Sequence, residues 1–211
     1  MSRDNILHKV RTALGRSAGQ GVGDVPPVRL RIPQTPTEER IAVMRSRIEA
    51  LAGVTARVPD MNAACGYVRD AVAGKTAMAS NSPYLAECGI SNLPGVICGI
   101  HDVTEMREVS AHVDIGITSA DYALGDTGTL VMVSSPAEAR LVSLLPPAHL
   151  AVVPVDRILT GLDELFTLLP NPAEQTSSMV LITGPSRTAD IEQILVRGVH
   201  GPGQITVVIV G

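Results

Sequence analysis

Aromatic residues are nearly missing from this 211-residue chain, which has no Trp, one Phe and three Tyr. Its core must therefore be assembled from Val, Leu, Ile, Ala and Met. Stacking surfaces for single-stranded nucleic acid need aromatic faces, as do many protein-interface anchors, and the chain supplies few of either. Lysine is almost as scarce: Lys9 and Lys75 are the two present, which leaves little room for Schiff-base chemistry. Against 21 acidic residues stand 17 basic ones, a net charge of −4, so no nucleic-acid partner is expected. Cys65, Cys88 and Cys98 form no C-x-x-C pair. Neither a metal nor an iron–sulfur site is supported and no cofactor is expected. The three read as small buried hydrophobes in a reduced cytoplasm. No segment approaches the ~18 consecutive apolar residues that span a bilayer, and Met1 to Arg16 lacks the apolar run and cleavage site of a secretion signal. A cytoplasmic location without membrane association is the expectation.

What is present is a globular composition, 45% hydrophobic and 18% charged, of a length that suits one domain. Residues 1–34 read as a short amino-terminal helix, with Ile6, Leu7, Val10, Ala13 and Leu14 on one face, followed by a Gly/Pro-rich linker. So short a helix is marginal alone and should dock, on its own domain or on a partner or neighbouring protomer. Residues 35–211 read as a single α/β domain. It opens at Thr35-Pro36-Thr37-Glu38, an N-cap Thr, a Pro at the first helical position and a Glu three residues on. Ile41, Met44, Ile48 and Leu51 line that helix and Gly53 stops it.

Strands are predicted at 54–58, 76–79, 95–99, 113–118, 129–134, 149–153, 178–183 and 205–210. Helices are predicted between them, including 60–74, 156–169 and 188–196. Strands that are apolar throughout and separated by helices imply a mostly parallel sheet covered on both faces.

Several motifs prove to be decoys. Gly74-Lys75-Thr76 lacks the earlier glycine of a phosphate-binding loop, since Arg69 stands there, and it runs from helix to strand, the wrong order. His101-Asp102 has no second ligand cluster and reads as a loop dipeptide. Asp126-Thr127-Gly128 matches the aspartic-protease tripeptide, but that chemistry needs two such carboxylates and this chain has one copy.

Asp126-Thr127-Gly128-Thr129 has two remaining readings. One is a tight turn with Gly128 at positive φ; the other is a strand-end site whose N–H groups and hydroxyls bind a carboxylate or phosphate. Gly184-Pro185-Ser186-Arg187-Thr188 follows a strand and precedes the predicted 188–196 helix. It reads either as simple capping or as an anion site with Arg187 as the fork. Arg140, Ser143 and His149 are polar groups embedded in an apolar stretch; a lone His there is either a satisfied core residue or a base.

These segments together resemble the lactate-utilisation protein C family. The resemblance rests on Gly116-Ile117-Thr118-Ser119-Ala120-Asp121, Asp126-Thr127-Gly128-Thr129, Ser143-Leu144-Leu145-Pro146-Pro147-Ala148-His149 and Thr183 through Glu192. It continues through Gly198-Val199-His200-Gly201-Pro202. Family members more often carry Ala-Glu or Ala-Asp before Thr-Gly-Thr; Gly125-Asp126 keeps the acid here. The resemblance implies a three-layer α/β/α Rossmann-like sandwich, similar to the sugar-phosphate isomerase and CoA-transferase superfamily. It also implies a role in bacterial oxidation of L-lactate to pyruvate beside iron–sulfur partner proteins, and it transfers no catalytic residue.

Three functions follow as expectations. The first is an accessory or substrate-binding subunit of a lactate-oxidising complex. The second is an independent isomerase- or transferase-type enzyme with Asp126 as the best catalytic candidate and Glu87 and Glu138 behind it. The third is a pure interaction protein that docks through its amino-terminal arm. A homo-oligomer is left open.

Overall fold

The computed structural model describes residues 2–20, 32–191 and 194–211, with the backbone alone over 189–191 and 194–196. The chain divides into two units, Met1–Arg31 and Ile32–Gly211. In the first, helix α1 (Arg3–Ala13) starts at Ser2, whose side chain accepts a hydrogen bond from the Asn5 N–H. Most of the linker, residues 21–31, lies outside the described residues.

The second unit begins with α2 (Thr37–Ala50), β1 (Val54–Val58), α3 (Met61–Ala71), β2 (Ala77–Ala79), α4 (Pro83–Glu87), β3 (Val96–Ile97) and α5 (Val103–His112). Next come β4 (Ile115–Ser119), β5 (Tyr122–Leu124), β6 (Thr129–Val133), α6 (Arg140–Leu144), β7 (Ala148–Pro154), β8 (Ile158–Leu159), α7 (Leu162–Leu168) and α8 (Pro172–Gln175). The unit ends with β9 (Met179–Ile182), β10 (Arg187–Ile191), β11 (Ile194–Arg197) and β12 (Gln204–Val210).

Six strands form an all-parallel sheet in the order β1-β12-β7-β4-β2-β3. Side chains alternate between its faces. Ala77, Ala79, Ile117, Leu150, Val152 and Val208 pack with Ala64 and Val68 of α3 and Leu85 of α4. On the other face Ala151, Val153, Val207 and Ile209 pack with Ile41, Met44 and Ile48 of α2, and Met78 meets Val142 of α6. This is the three-layer α/β/α sandwich with a parallel sheet. One outer layer also holds a second sheet, β8-β5-β6-β9, in which β5–β6 and β6–β9 are antiparallel. The apolar runs 129–133 and 179–182 belong to that sheet rather than to the parallel one.

Four local predictions change. Helix α2 starts at Thr37 with Pro36 in the cap position and no side-chain cap; Glu38 instead pairs with Arg57. The 156–169 helix shrinks to Leu162–Leu168, because Ile158–Leu159 pairs with β5 and extends the second sheet. The 188–196 helix is replaced by the antiparallel hairpin β10–β11; Thr188, Ile191, Ile194 and Val196 are β-branched, and strand pairing overrides the helical spacing. Helix α6 is a gain: its five residues are too few to show a period.

Candidate functional site

The structure draws two of the predicted motifs together. The Asp126–Thr129 turn joins β5 to β6, with Gly128 at φ +70°. A Cβ on Gly128 would lie 2.9 Å from Arg47 Cβ and 3.1 Å from the Ile48 nitrogen, so the glycine lets α2 rest on the turn. Thr127 Oγ1 lies 2.8 Å from Thr129 Oγ1, which lies 2.7 Å from Thr183 Oγ1. Thr183, Gly184, Ser186 and Arg187 then line an open groove of about 510 Å³ with His200 opposite. Ser186 Oγ accepts from the His200 N–H at 3.3 Å, and Arg187 donates to the Leu51 carbonyl. Thr188 sits in β10 opposite Val196. Because this segment opens a hairpin, the helix N-terminus invoked for anion binding does not exist there. Asp126 is exposed, its N–H donating to the Thr160 carbonyl and its own carbonyl accepting from Arg47 Nε at 3.2 Å.

The other predicted residues stay apart from the groove's polar groups. Arg140 opens α6 and donates to Ser178 Oγ at 3.3 Å; Ser143 Oγ donates back to the Arg140 carbonyl at 3.1 Å. His149 is buried in β7, with Nε2 2.7 Å from Thr118 Oγ1 and Nδ1 without a partner among the described residues. Burial lowers its pKa to about 4, so the ring is neutral.

A separate polar cluster lies at the carboxyl edge of the parallel sheet. From β2 the chain turns to β3 on one side, then returns to β4 on the other. The crevice between β2 and β4 is thus the switch point where α/β folds bind ligands. Ser80, Asn81 and Ser82 follow β2, Ser119 ends β4, and α6 brings up the buried Glu138 just before it. Ser80 Oγ donates to Glu138 Oε2 at 2.9 Å, and Ser119 Oγ donates to the same oxygen at 3.5 Å. Ser119 Oγ lies 2.6 Å from Ser82 Oγ. Ser82 and Ser119 line a cavity of about 290 Å³ together with Tyr84, Asp121 and Arg157, a size suited to a small metabolite.

The electrostatics set this cluster apart. Burial raises the Glu138 carboxyl to about 8, with the Asp121 carboxylate adding to the rise and the serine hydroxyls opposing it. Oε1 of Glu138 has no partner among the described residues. Burial also raises Asp121, against the Val133 N–H that donates to Oδ2 at 2.7 Å. Arg157 is positioned by a 3.2 Å hydrogen bond to the Asp121 carbonyl and by the Tyr122 ring, 5.8 Å from its guanidinium carbon.

Ser80, Ser82, Ser119, Asp121 and Arg157 escaped sequence reasoning as site residues. Ser80 and Glu138 are 58 positions apart, and no local spacing joins them. The usable signal was the row of small polar residues directly after two apolar strands, Ser80-Asn81-Ser82 and Ser119-Ala120-Asp121.

Comparison with known proteins places the chain. Residues 41–210 match the LUD domain. Lactate utilization protein C of Exiguobacterium is 39% identical over 108 residues, which cover 49% of this chain and 47% of that one. The protein of the same name from Halalkalibacterium halodurans is 34% identical over 154 residues, 69% of this chain and 67% of that one. The match to that of Bacillus subtilis, 40% identical over 101 residues, covers 46% of this chain and 42% of the relative. The chain thus spans about half the length of several of these relatives. A DUF162 family protein from Deinococcus radiodurans, known from its crystal structure, superposes with a TM-score of 0.65 at 18% identity, over 84% of this chain and 99% of that one; it shares the fold. With most of its length matched, the chain belongs to the LUD domain family.

Proposed function

We propose that this chain is a substrate-binding subunit of a bacterial lactate-utilisation system, acting beside iron–sulfur partners that carry the electrons as L-lactate becomes pyruvate. Relatives carrying the name lactate utilization protein C support the metabolic assignment. The carboxyl-edge cavity supports the binding role. The observation that carries it is one small cavity at the switch point lined by Ser82, Ser119 and Arg157, beside the acids Glu87 and Asp121. A guanidinium forks onto a carboxylate, and hydroxyls serve equally as donors to an oxo group or acceptors from a hydroxyl. A 2-hydroxy or 2-oxo carboxylate needs that pairing.

Calorimetric titration of the full chain with L-lactate and with pyruvate tests the binding. Both should bind, and Arg157→Met should weaken both by about ten- to a hundredfold, the worth of one charged hydrogen-bonded contact. Unimpaired growth on lactate after clean deletion of the gene would sink the metabolic assignment. A second reading seats the carboxylate in the Thr183–Arg187 groove, favoured by its lining of Arg187 and His200 without an acid among the described residues. Under that reading Arg187→Met, not Arg157→Met, abolishes binding.

A further inference from the structure

We infer that Glu138 is the proton store of the carboxyl-edge cavity, its protonation coupled to the bound ligand through the hydrogen-bonded hydroxyls of Ser119 and Ser82. The inference rests on the reading of that cavity as a small-carboxylate site. Glu138 lies behind the cavity, and its carboxyl reaches ligand space only through other groups. Ser119 Oγ is 3.5 Å from Oε2, and Ser82 Oγ is a further 2.6 Å on. Both serines open on the cavity. In the Ser82–Ser119 contact either oxygen can be the donor, so the chain of hydroxyls can point in either direction. Ser80 holds Oε2 from the end of β2 at 2.9 Å, and Oε1 is buried without a partner among the described residues.

The groups facing the carboxyl are few. Ser80 comes from the end of β2, Ser119 from β4, and the Asp121 carboxylate from the segment after β4. Arg157, across the cavity, is held on the Asp121 carbonyl, and Arg140 is bonded to Ser178. Among the described residues no cation holds the acid ionised. With the carboxyl raised to about 8, the store is mostly filled at neutral pH and empties just above it.

The two ligand forms read the relay in opposite directions. A 2-hydroxy acid offers its O–H to Ser82; Ser82 then donates to Ser119 and Ser119 to Glu138, which favours the carboxylate. A 2-oxo acid accepts from Ser82, which accepts from Ser119, which accepts from the protonated Glu138. That ligand favours the acid form.

Binding should therefore be linked to protons with opposite signs. Titrated at pH 8 in buffers of different ionisation enthalpy, the full chain should release up to about half a proton on binding L-lactate and take up a similar amount on binding pyruvate. Ser119→Ala should bind both acids more weakly and, at saturation, show neither linkage. Ser119→Thr, which restores the hydroxyl, should recover both. Linkage of one sign for both acids, or linkage that persists in Ser119→Ala, overturns the relay alone. Binding of neither acid overturns the small-carboxylate reading and the relay with it.

Discussion

Glu138 keeps its proton because burial takes its carboxyl out of water and the Asp121 carboxylate adds to the effect, and replacing it shows what that costs the native state. The native carboxyl titrates at about 8, against 4.5 for an unperturbed one. The unfolded chain therefore releases this proton first, and stability falls as pH rises from 4.5 until it levels off above 8. Glu138→Gln lacks the titration. Relative to the parent chain, it should gain about 1.4 kcal/mol per pH unit across that window, read from denaturant midpoints. Asp126→Asn, at an exposed turn position, should change stability by no more than about 0.5 kcal/mol and leave L-lactate binding intact. Loss of lactate binding in Asp126→Asn would return the turn to the centre of the site. The Asp-Thr-Gly-Thr run invites functional reading from sequence because it is local and compact. Its glycine, at least, answers to packing, since α2 lies where a side chain would be. Glu138 is legible only as one acid among many, because burial comes from partners distant in the chain.

At the scale of elements, α6 and β4 fit together through one missing side chain. A Cβ on Gly116 would sit 1.9 Å from the Val142 carbonyl oxygen, so the short helix lies directly on the strand. Gly116→Ala should push α6 outward and cost about 3 kcal/mol or more, at or beyond the upper end of overpacking penalties. Because Glu138 precedes α6, its 2.9 Å bond to Ser80 should break as well and its titration move. Denaturant unfolding and a pH series on the variant check both outcomes. The parallel strands were readable because double-sided burial makes them apolar throughout. The β10–β11 hairpin and β8 carry apolar residues that also fit helical spacing; β10 and β11 pair with each other, and β8 pairs with the distant β5.

For the molecule as a whole, two groups forced to stay neutral pull its acid–base behaviour in opposite directions. His149 is neutral in the native chain down to about 4, while an unperturbed imidazole takes its proton at 6.5. Stability contributed there falls as pH drops below 6.5 and levels off near 4. Between 4.5 and 6.5 this slope opposes that of Glu138, and the two cancel. His149→Gln should therefore lose stability relative to the parent as pH rises from 4 to 6.5, while Glu138→Gln gains it. Unfolding free energies of the two variants and their combination, measured across that range, would expose the opposing slopes; parallel trends in the two variants would refute them.

The order of strands in the parallel sheet also governs when it can form. Val54 pairs with Thr206, and β12 stands between β1 and β7. While the chain is being synthesised, β1 emerges early and finds no neighbour until residues 204–210 have left the ribosome. The central sheet is thus completed after translation of nearly everything described here, by insertion of a late strand between two waiting edges. Loop closure over such a span makes folding slow, and those unpaired apolar edges are the segments that chaperones would have to shield.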